Sequence, residues 1–269
     1  MTIKVAMWSG PRNVSTALMR SFGARADTVV VDEPLYAYYL SATGLDHPGR
    51  DEVIASQPTR WQEAAEALTA DTAAEISYQK HMAHHLLPEV GREWLGRLTN
   101  AYLIRDPAHV VASYAKVRGA PTLEDLGYPQ QVEIFRAHGG PVVDAADLLR
   151  DPAKILPALC EGLGIAFDPA MLHWPPGRRD TDGVWAPHWY AAVERSTGFA
   201  PYNPKPAEVP RELNPIAWAA QPYYDELAAH KITGARAHRW PARAPDRSPP
   251  RRWSPGLPCR RRSAGRRSR

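Results

Sequence analysis

The sequence predicts an α/β domain with about five short buried strands, on three observations. Apolar or β-branched runs recur at residues 5–8, 28–31, 76–79, 101–104 and 142–143. Turn punctuation and then helical spacing of apolar residues follow them, so strand and helix alternate. The runs at 28–31 and 101–104 end directly in charged residues, Asp32-Glu33 and Arg105-Asp106, and in an open parallel sheet the strand carboxyl ends face the ligand crevice. A chain of 269 residues with 44% hydrophobic content holds one large core, so a second domain is unnecessary.

The first strand runs into Ser9-Gly10-Pro11, which forces a turn, and Ser15-Thr16 followed by Ala17-Leu18-Met19 starts a helix. The first N–H groups of that helix lack intrahelical partners, so a phosphate or sulfate fits there beside Arg12, Ser15 and Thr16. The second strand ends at Asp32-Glu33-Pro34, where the proline also suits a helix start. Tyr36, Tyr38 and Tyr39 follow at spacings that suit either the lining of a ligand pocket or the core. Residues 41–59, with Gly44, Pro48, Gly49 and Pro58, read as a long connection beside the site, and 61–68 as helical. The third strand ends in Lys80-His81-Met82-Ala83-His84-His85. After the fourth, Arg105-Asp106-Pro107 starts a helix expected to reach about residue 117. A helix over 123–137 is broken near Gly127 and Pro129. The fifth strand leads into the amphipathic run Ile155, Leu159, Leu163, with Gly164 as its C-terminal stop. Residues 173–199 are rich in Trp, Pro and Arg, 201–215 form a proline-rich connector, and 216–229 a closing helix.

Several of these segments, in this order, resemble the sulfotransferase family. Ser9-Gly10-Pro11-Arg12-Asn13-Val14-Ser15-Thr16 looks like its 5′-phosphosulfate loop. Glu33-Pro34-Leu35-Tyr36 is similar to the Glu-Pro-Leu-aromatic segment of carbohydrate sulfotransferases, and Lys80-His81 with Leu86-Leu87-Pro88 to the Lys-Thr-His segment of cytosolic ones. Leu103 to Tyr114, with Arg105-Asp106-Pro107 and Ser113, resembles Arg-Asp/Asn-Pro…Val-x-Ser. Gly177-Arg178-Arg179 with Gly183-Val184-Trp185 resembles the C-terminal donor segment. The resemblance implies a three-layer α/β sandwich with a mainly parallel, P-loop-type sheet. It implies sulfuryl transfer from 3′-phosphoadenosine 5′-phosphosulfate (PAPS) to a hydroxyl or amine of a small molecule or carbohydrate. Gly10, Arg12, Asn13, Ser15 and Thr16 would hold the donor's 5′ end, and Arg105, Ser113, Arg178 and Arg179 its 3′-phosphate. Arg12 would stabilise charge on the leaving phosphate, and Glu33 or His81 would take the acceptor's proton; spacing does not choose between them.

Two other readings use the same scaffold. A P-loop kinase or nucleotide hydrolase needs Gly-Lys-Ser/Thr, whereas Ser15 stands five positions after Gly10 with no lysine following. A noncatalytic phosphonucleotide- or RNA-binding protein would keep the phosphate contacts and ignore Glu33 and His81. His81 with His84 or His85 has metal-like spacing on a helical face, but no Glu follows in the His-Glu-x-x-His order, so no metal is expected.

The net charge of +4 misleads. Twelve arginines and one aspartate lie between Arg236 and Arg269, so the body is acidic and the tail basic. The expected organisation is a domain over 1–235 and a disordered tail over 236–269, able to bind polyanions nonspecifically, with no specific nucleic-acid partner. Cys160 and Cys259 make neither a disulfide framework nor a metal site. With no apolar run long enough for a membrane span and no signal-peptide pattern, a cytoplasmic protein is expected. The oligomeric state is left open.

Overall fold

The computed structural model describes residues 1–203 and 205–234; the expected basic tail at 236–269 lies outside the described residues. In chain order the elements are β1 (Ile3–Ser9), α1 (Ser15–Gly23), β2 (Thr28–Asp32), α2 (Tyr36–Thr43), α3 (Arg50–Ser56), α4 (Trp61–Thr69) and β3 (Ile76–Met82). They continue with β4 (Thr99–Ile104), α5 (Pro107–Arg118), α6 (Leu123–Leu126), α7 (Tyr128–His138), β5 (Val142–Asp144), α8 (Ala145–Arg150) and α9 (Pro152–Leu163). Last come α10 (Ala186–Trp189), α11 (Ala191–Glu194) and α12 (Asn214–Ala228).

The five strands form one parallel sheet in the order β2-β3-β1-β4-β5. The chain leaves β1 toward β2 and β3 on one side and crosses to β4 and β5 on the other. The turn after β1 therefore sits at the switch point where a crevice opens.

Strand alternation assigns each residue of β1 and β3 to one of two layers. Val5, Met7 and Tyr78 face a core completed by Leu18, Met19 and Phe22 of α1, Tyr36 and Tyr39 of α2, and α9. Ala6 and Trp8 face the other, against Ala64, Ala65 and Leu68 of α4 and Val132, Ile134 and Phe135 of α7. Each fully buried large side chain stabilises the fold by about 1.5–3 kcal/mol. Phe22 stacks on Tyr78 with centroids 4.1 Å apart, clamping α1 onto the sheet.

Two elements differ from expectation. The connection at 41–59 contains α3: Gly49 takes the left-handed conformation (φ 73°) that starts it, Asp51 and Glu52 complement its N-terminus, and Val53 is fully buried. β3 continues past its apolar run through Lys80, His81 and Met82, because β1 and β2 supply ladder partners on both sides (Met7 and Asp32 for Lys80, Trp8 for His81). The helical face joining His81 to His84 and His85 does not form; His81 lies in a strand and the other two in a 3₁₀ turn, Ala83–His85. The break at Gly127 occurs as expected, with that residue left-handed (φ 74°) between α6 and α7. Gly164 caps α9 in the same conformation.

Candidate active site

A cavity of about 640 Å³ opens at the carboxyl ends of the strands, walled by the loop after β1, α2, the loop after it, α5 and the α10–α11 segment. At one end lies the β1–α1 turn. Gly10 is needed because its backbone passes against α6: a Cβ there would lie 2.4 Å from the Leu126 carbonyl oxygen. Helix α1 has no side-chain N-cap, which leaves its first-turn N–H groups facing the cavity lined by Ser15 and Thr16. Asn13 holds the loop in shape: its amide donates to the Leu103 carbonyl at 3.0 Å, and its Oδ1 accepts from the Val14 N–H at 2.9 Å.

Arg12 ties the turn to β4 and α5. Its Nε donates to Ser113 Oγ at 3.1 Å, and its carbonyl accepts from Arg105 Nη1 at 2.6 Å. Tyr128 in turn donates its hydroxyl to the Arg105 carbonyl. Asp106 caps α5 by accepting from the Ala108 and His109 N–H groups, so one Arg-Asp-Pro tripeptide both starts a helix and delivers a guanidinium to the cavity. Two cations, a hydroxyl and an uncapped helix N-terminus converge there, which is the chemistry of a phosphate or sulfate site.

Further along the wall is a buried ion network. Lys80 Nζ donates to Asp32 Oδ1 at 2.9 Å, Glu33 Oε1 at 2.5 Å and the Tyr190 hydroxyl at 2.8 Å, which uses all three of its hydrogens. The Tyr190 hydroxyl donates to Asp32 Oδ2 at 2.7 Å and accepts from Trp185 Nε1 at 3.2 Å; the Gly183 N–H also donates to Asp32 Oδ2. Burial opposes the Lys80 charge, yet the two carboxylates outweigh it and hold the ammonium well above its ordinary value. Burial pushes the Glu33 carboxyl up, against the pull of Lys80 in the other direction. The side chain of Glu33 keeps 13% of its surface open, against 1% for Lys80 and 2% for Asp32. Lys80 and Tyr190 also border the cavity, and Glu33 is the most open of the three ion-paired side chains.

Arg12 (φ 57°) and Glu33 (φ 39°) are the non-glycine residues with left-handed backbone among the described residues. Each such conformation costs about 1–3 kcal/mol, and both costs fall on the two sides of this cavity.

The remaining wall is aromatic and imidazole. His85 stacks on Tyr36 (centroids 4.8 Å, 7° between planes) and on Tyr39 (4.6 Å), and Tyr39 meets His84 edge-on. The Tyr36 hydroxyl pairs with His47 Nδ1 at 2.8 Å. Burial lowers all three imidazoles, His47 to about 4 and His84 to about 3, so the rings are neutral at ordinary pH.

The structure brings Arg12, Asn13, Ser15, Thr16, Glu33, Arg105 and Ser113 onto one cavity. It does not bring His81 there. Consecutive strand residues point to opposite faces; Lys80 faces the cavity, so His81 faces the other layer, 1% exposed, stacked on Trp8 at 4.2 Å and beside Gln79 Oε1 at 3.2 Å. Burial also drops its pKa to about 3. Arg178 and Arg179 lie outside the cavity wall as well. Arg178 is exposed, and Arg179 turns back to donate to the Pro175 carbonyl while its N–H meets Asp182. That segment's contribution runs through Asp182, whose carboxylate forms a buried bidentate pair with Arg20 of α1 at 2.5 and 2.7 Å. The pair anchors the chain that delivers Trp185 and Tyr190. Tyr190 went unremarked in the sequence because its partner Asp32 is 158 residues away and nothing local marks it.

Comparison with known proteins identifies the family to which the chain belongs. A family model described as a sulfotransferase domain matches residues 3–231. Two Arabidopsis thaliana proteins, named branched-chain-amino-acid aminotransferase-like protein 1 and protein 2, are 38% and 33% identical over 229 residues, which is 83% of this chain. The matched region makes up 41% of each plant protein, so this chain spans well under half the length of those relatives. Among solved structures, the sulfotransferase from Alicyclobacillus acidocaldarius superimposes with a TM-score of 0.51 over 87% of this chain and 98% of that one, at 10% identity. That likeness establishes the parallel α/β fold, and the family model, covering nearly the whole described domain, establishes descent: this chain belongs to the sulfotransferase domain family.

Proposed function

We propose that this protein transfers the sulfuryl group of PAPS to a hydroxyl of a small-molecule acceptor, with Glu33 as the base. The observation that carries the reading is a single cavity with an anion cradle at one wall (Arg12, Ser15, Thr16, Arg105, Ser113) and a partly open, burial-shifted carboxylate, Glu33, at another. The donor's 5′-phosphosulfate lies on the uncapped start of α1, and Arg105 with Ser113 takes the 3′-phosphate. The bond between Arg12 and Ser113 makes one rigid unit of the two subsites, fixing the donor's register.

In the transfer step the acceptor oxygen attacks sulfur in line, the bond from sulfur to the bridging phosphate oxygen breaks, and the acceptor proton passes to Glu33. Arg12 and the α1 N–H groups stabilise the charge that develops on the departing phosphate. Lys80 acts through Glu33, since its three hydrogens are already committed. It holds Oε1 and leaves the other carboxylate oxygen to meet the acceptor. Burial raises Glu33 toward the working pH, which improves it as a base.

Calorimetry with 3′-phosphoadenosine 5′-phosphate (PAP) against magnesium-ATP tests the donor class. Tighter binding of PAP is the expected result, and tighter binding of ATP overturns the reading in favour of a kinase or hydrolase. Transfer of radiolabelled sulfate from PAPS to a panel of hydroxylated metabolites then tests the reaction itself.

A further inference from the structure

The buried network beside the cavity does not balance its charges. Lys80 brings one positive charge, and Asp32 and Glu33 bring two negative ones, at 2.9 and 2.5 Å. The two carboxylates are held differently. Asp32 accepts from Lys80 at Oδ1 and from the Tyr190 hydroxyl and the Gly183 N–H at Oδ2, at 2.7 and 3.2 Å. Glu33 accepts from Lys80, at Oε1. Hydrogen bonds to the charged form of a carboxylate favour that form, so Glu33 is the carboxylate poised to take a proton. If Lys80 and Glu33 stood alone, protonating Glu33 would leave a bare buried ammonium, which is costly. With Asp32 beside them, the same proton takes the network from one net negative charge to none.

We propose that Asp32 is a positioning residue for the transfer step: it shares Lys80 with Glu33, so that the proton leaving the acceptor hydroxyl discharges the network instead of stranding a buried ammonium. The proposal rests on the sulfuryl-transfer reading and deepens it. As the acceptor oxygen bonds to sulfur, its proton goes to the second oxygen of Glu33, and Lys80 stays an ammonium paired with Asp32. Tyr190 braces that pair. Its hydroxyl accepts from Lys80 and from Trp185 Nε1 and donates to Asp32, so its one hydrogen and both lone pairs are used. The influences on Glu33 agree: burial, the largest, raises its carboxyl, Lys80 lowers it, Asp32 raises it again, and Arg118 of α5 lowers it. Tyr36, Tyr78 and Tyr190 are raised by burial and carry no charge at ordinary pH. Arg12, Arg105, Asp46 and Asp125 line the rest of the cavity and are the same in every variant below.

Carbon-detected NMR of the full-length protein, with aspartate and glutamate carboxyls labelled, tests the assignment by pH titration. In the wild type, Asp32 is expected to stay ionised across the whole range in which Glu33 takes its proton. In Asp32→Asn the Glu33 midpoint is expected to fall by about one pH unit or more, because a negative neighbour is gone and Lys80 is no longer shared. Tyr190→Phe keeps all three charges and is expected to move it much less. Asp32 protonating with or before Glu33, an unchanged or raised Glu33 midpoint in Asp32→Asn, or equal shifts in both variants overturns the proposal. The wild-type titration needs no variant, so it decides the matter even where Asp32→Asn fails to fold, which PAP binding by calorimetry reports. In turnover, Asp32→Asn is expected to move the acid limb of the rate profile to lower pH and to slow single-turnover transfer about tenfold, with PAP affinity unchanged. A slower rate with the acid limb unmoved marks a purely structural role and overturns the proposal. If the wild type binds PAP yet transfers sulfate to no acceptor, the reaction reading fails, while the titration still judges the network.

Discussion

Replacing Lys80 with Met removes the ammonium from the buried network and leaves its shape nearly filled. The ammonium contacts Glu33 at 2.5 Å and Asp32 at 2.9 Å. At an effective dielectric of about 20, each contact has a gross Coulomb energy of about 6 kcal/mol. Desolvation of the lysine offsets much of that, and removing one partner of a buried pair typically costs about 3–5 kcal/mol because the remaining charge is left uncompensated. Here two carboxylates on adjacent residues remain, and Tyr190 with the Gly183 N–H still supports Asp32, so Glu33 carries the deficit. Its carboxyl is already raised by burial and rises further without Lys80. Ionised Glu33 penalises the folded state only above its folded pKa, so the loss is full at pH 8 and shrinks as the pH falls and Glu33 takes a proton. Urea unfolding of the wild type and Lys80→Met at pH 8 and pH 5.5 measures both the size and the slope. A loss under about 1 kcal/mol at pH 8, or a loss that grows on acidification, would refute the electrostatic account of this network.

Three further outcomes are expected. Glu33→Gln lowers single-turnover sulfate transfer by about 10²–10⁴ while PAP affinity by calorimetry stays the same, and the acid limb of the wild-type rate profile lies above the ordinary glutamate value, with the rate falling as Glu33 is protonated. His81→Phe, which keeps the stack on Trp8, leaves that limb where it is. Arg105→Ala weakens PAP about tenfold or more but adenosine 5′-phosphosulfate, which lacks the 3′-phosphate, much less; equal losses would remove Arg105 from the 3′-phosphate. Gly10→Ala sets a methyl against the Leu126 carbonyl and is expected to cost about 1–3 kcal/mol in unfolding free energy; an unchanged melting curve would show that α6 moves freely away from the turn.

The strands were legible because parallel-sheet strands are buried on both faces and so leave continuous apolar runs, and the first helix because Gly10, Pro11 and the paired hydroxyls punctuate its start. The Arg105-Asp106-Pro107 tripeptide was legible for a related reason: an Asp cap and a first-turn proline are local requirements of the helix that carries Ser113. These are all short-range rules, satisfied by neighbours in the chain. What tertiary structure decided is which side of the sheet each side chain takes and what meets it there. Lys80 and His81 are adjacent in sequence yet face opposite layers, because a strand extended by its ladder partners alternates every residue. Asp32 meets Lys80 on the neighbouring strand, and Tyr190 and the Gly183 N–H on the segment that the Arg20–Asp182 pair anchors to α1, none of them near it in the chain. The ring packing of His84 and His85 depends in the same way on rings of α2 that nothing in their own neighbourhood announces. The backbone pattern was set by local sequence; the chemistry of the cavity depends on burial and on charge partners far apart in the chain, and only the folded structure supplies those.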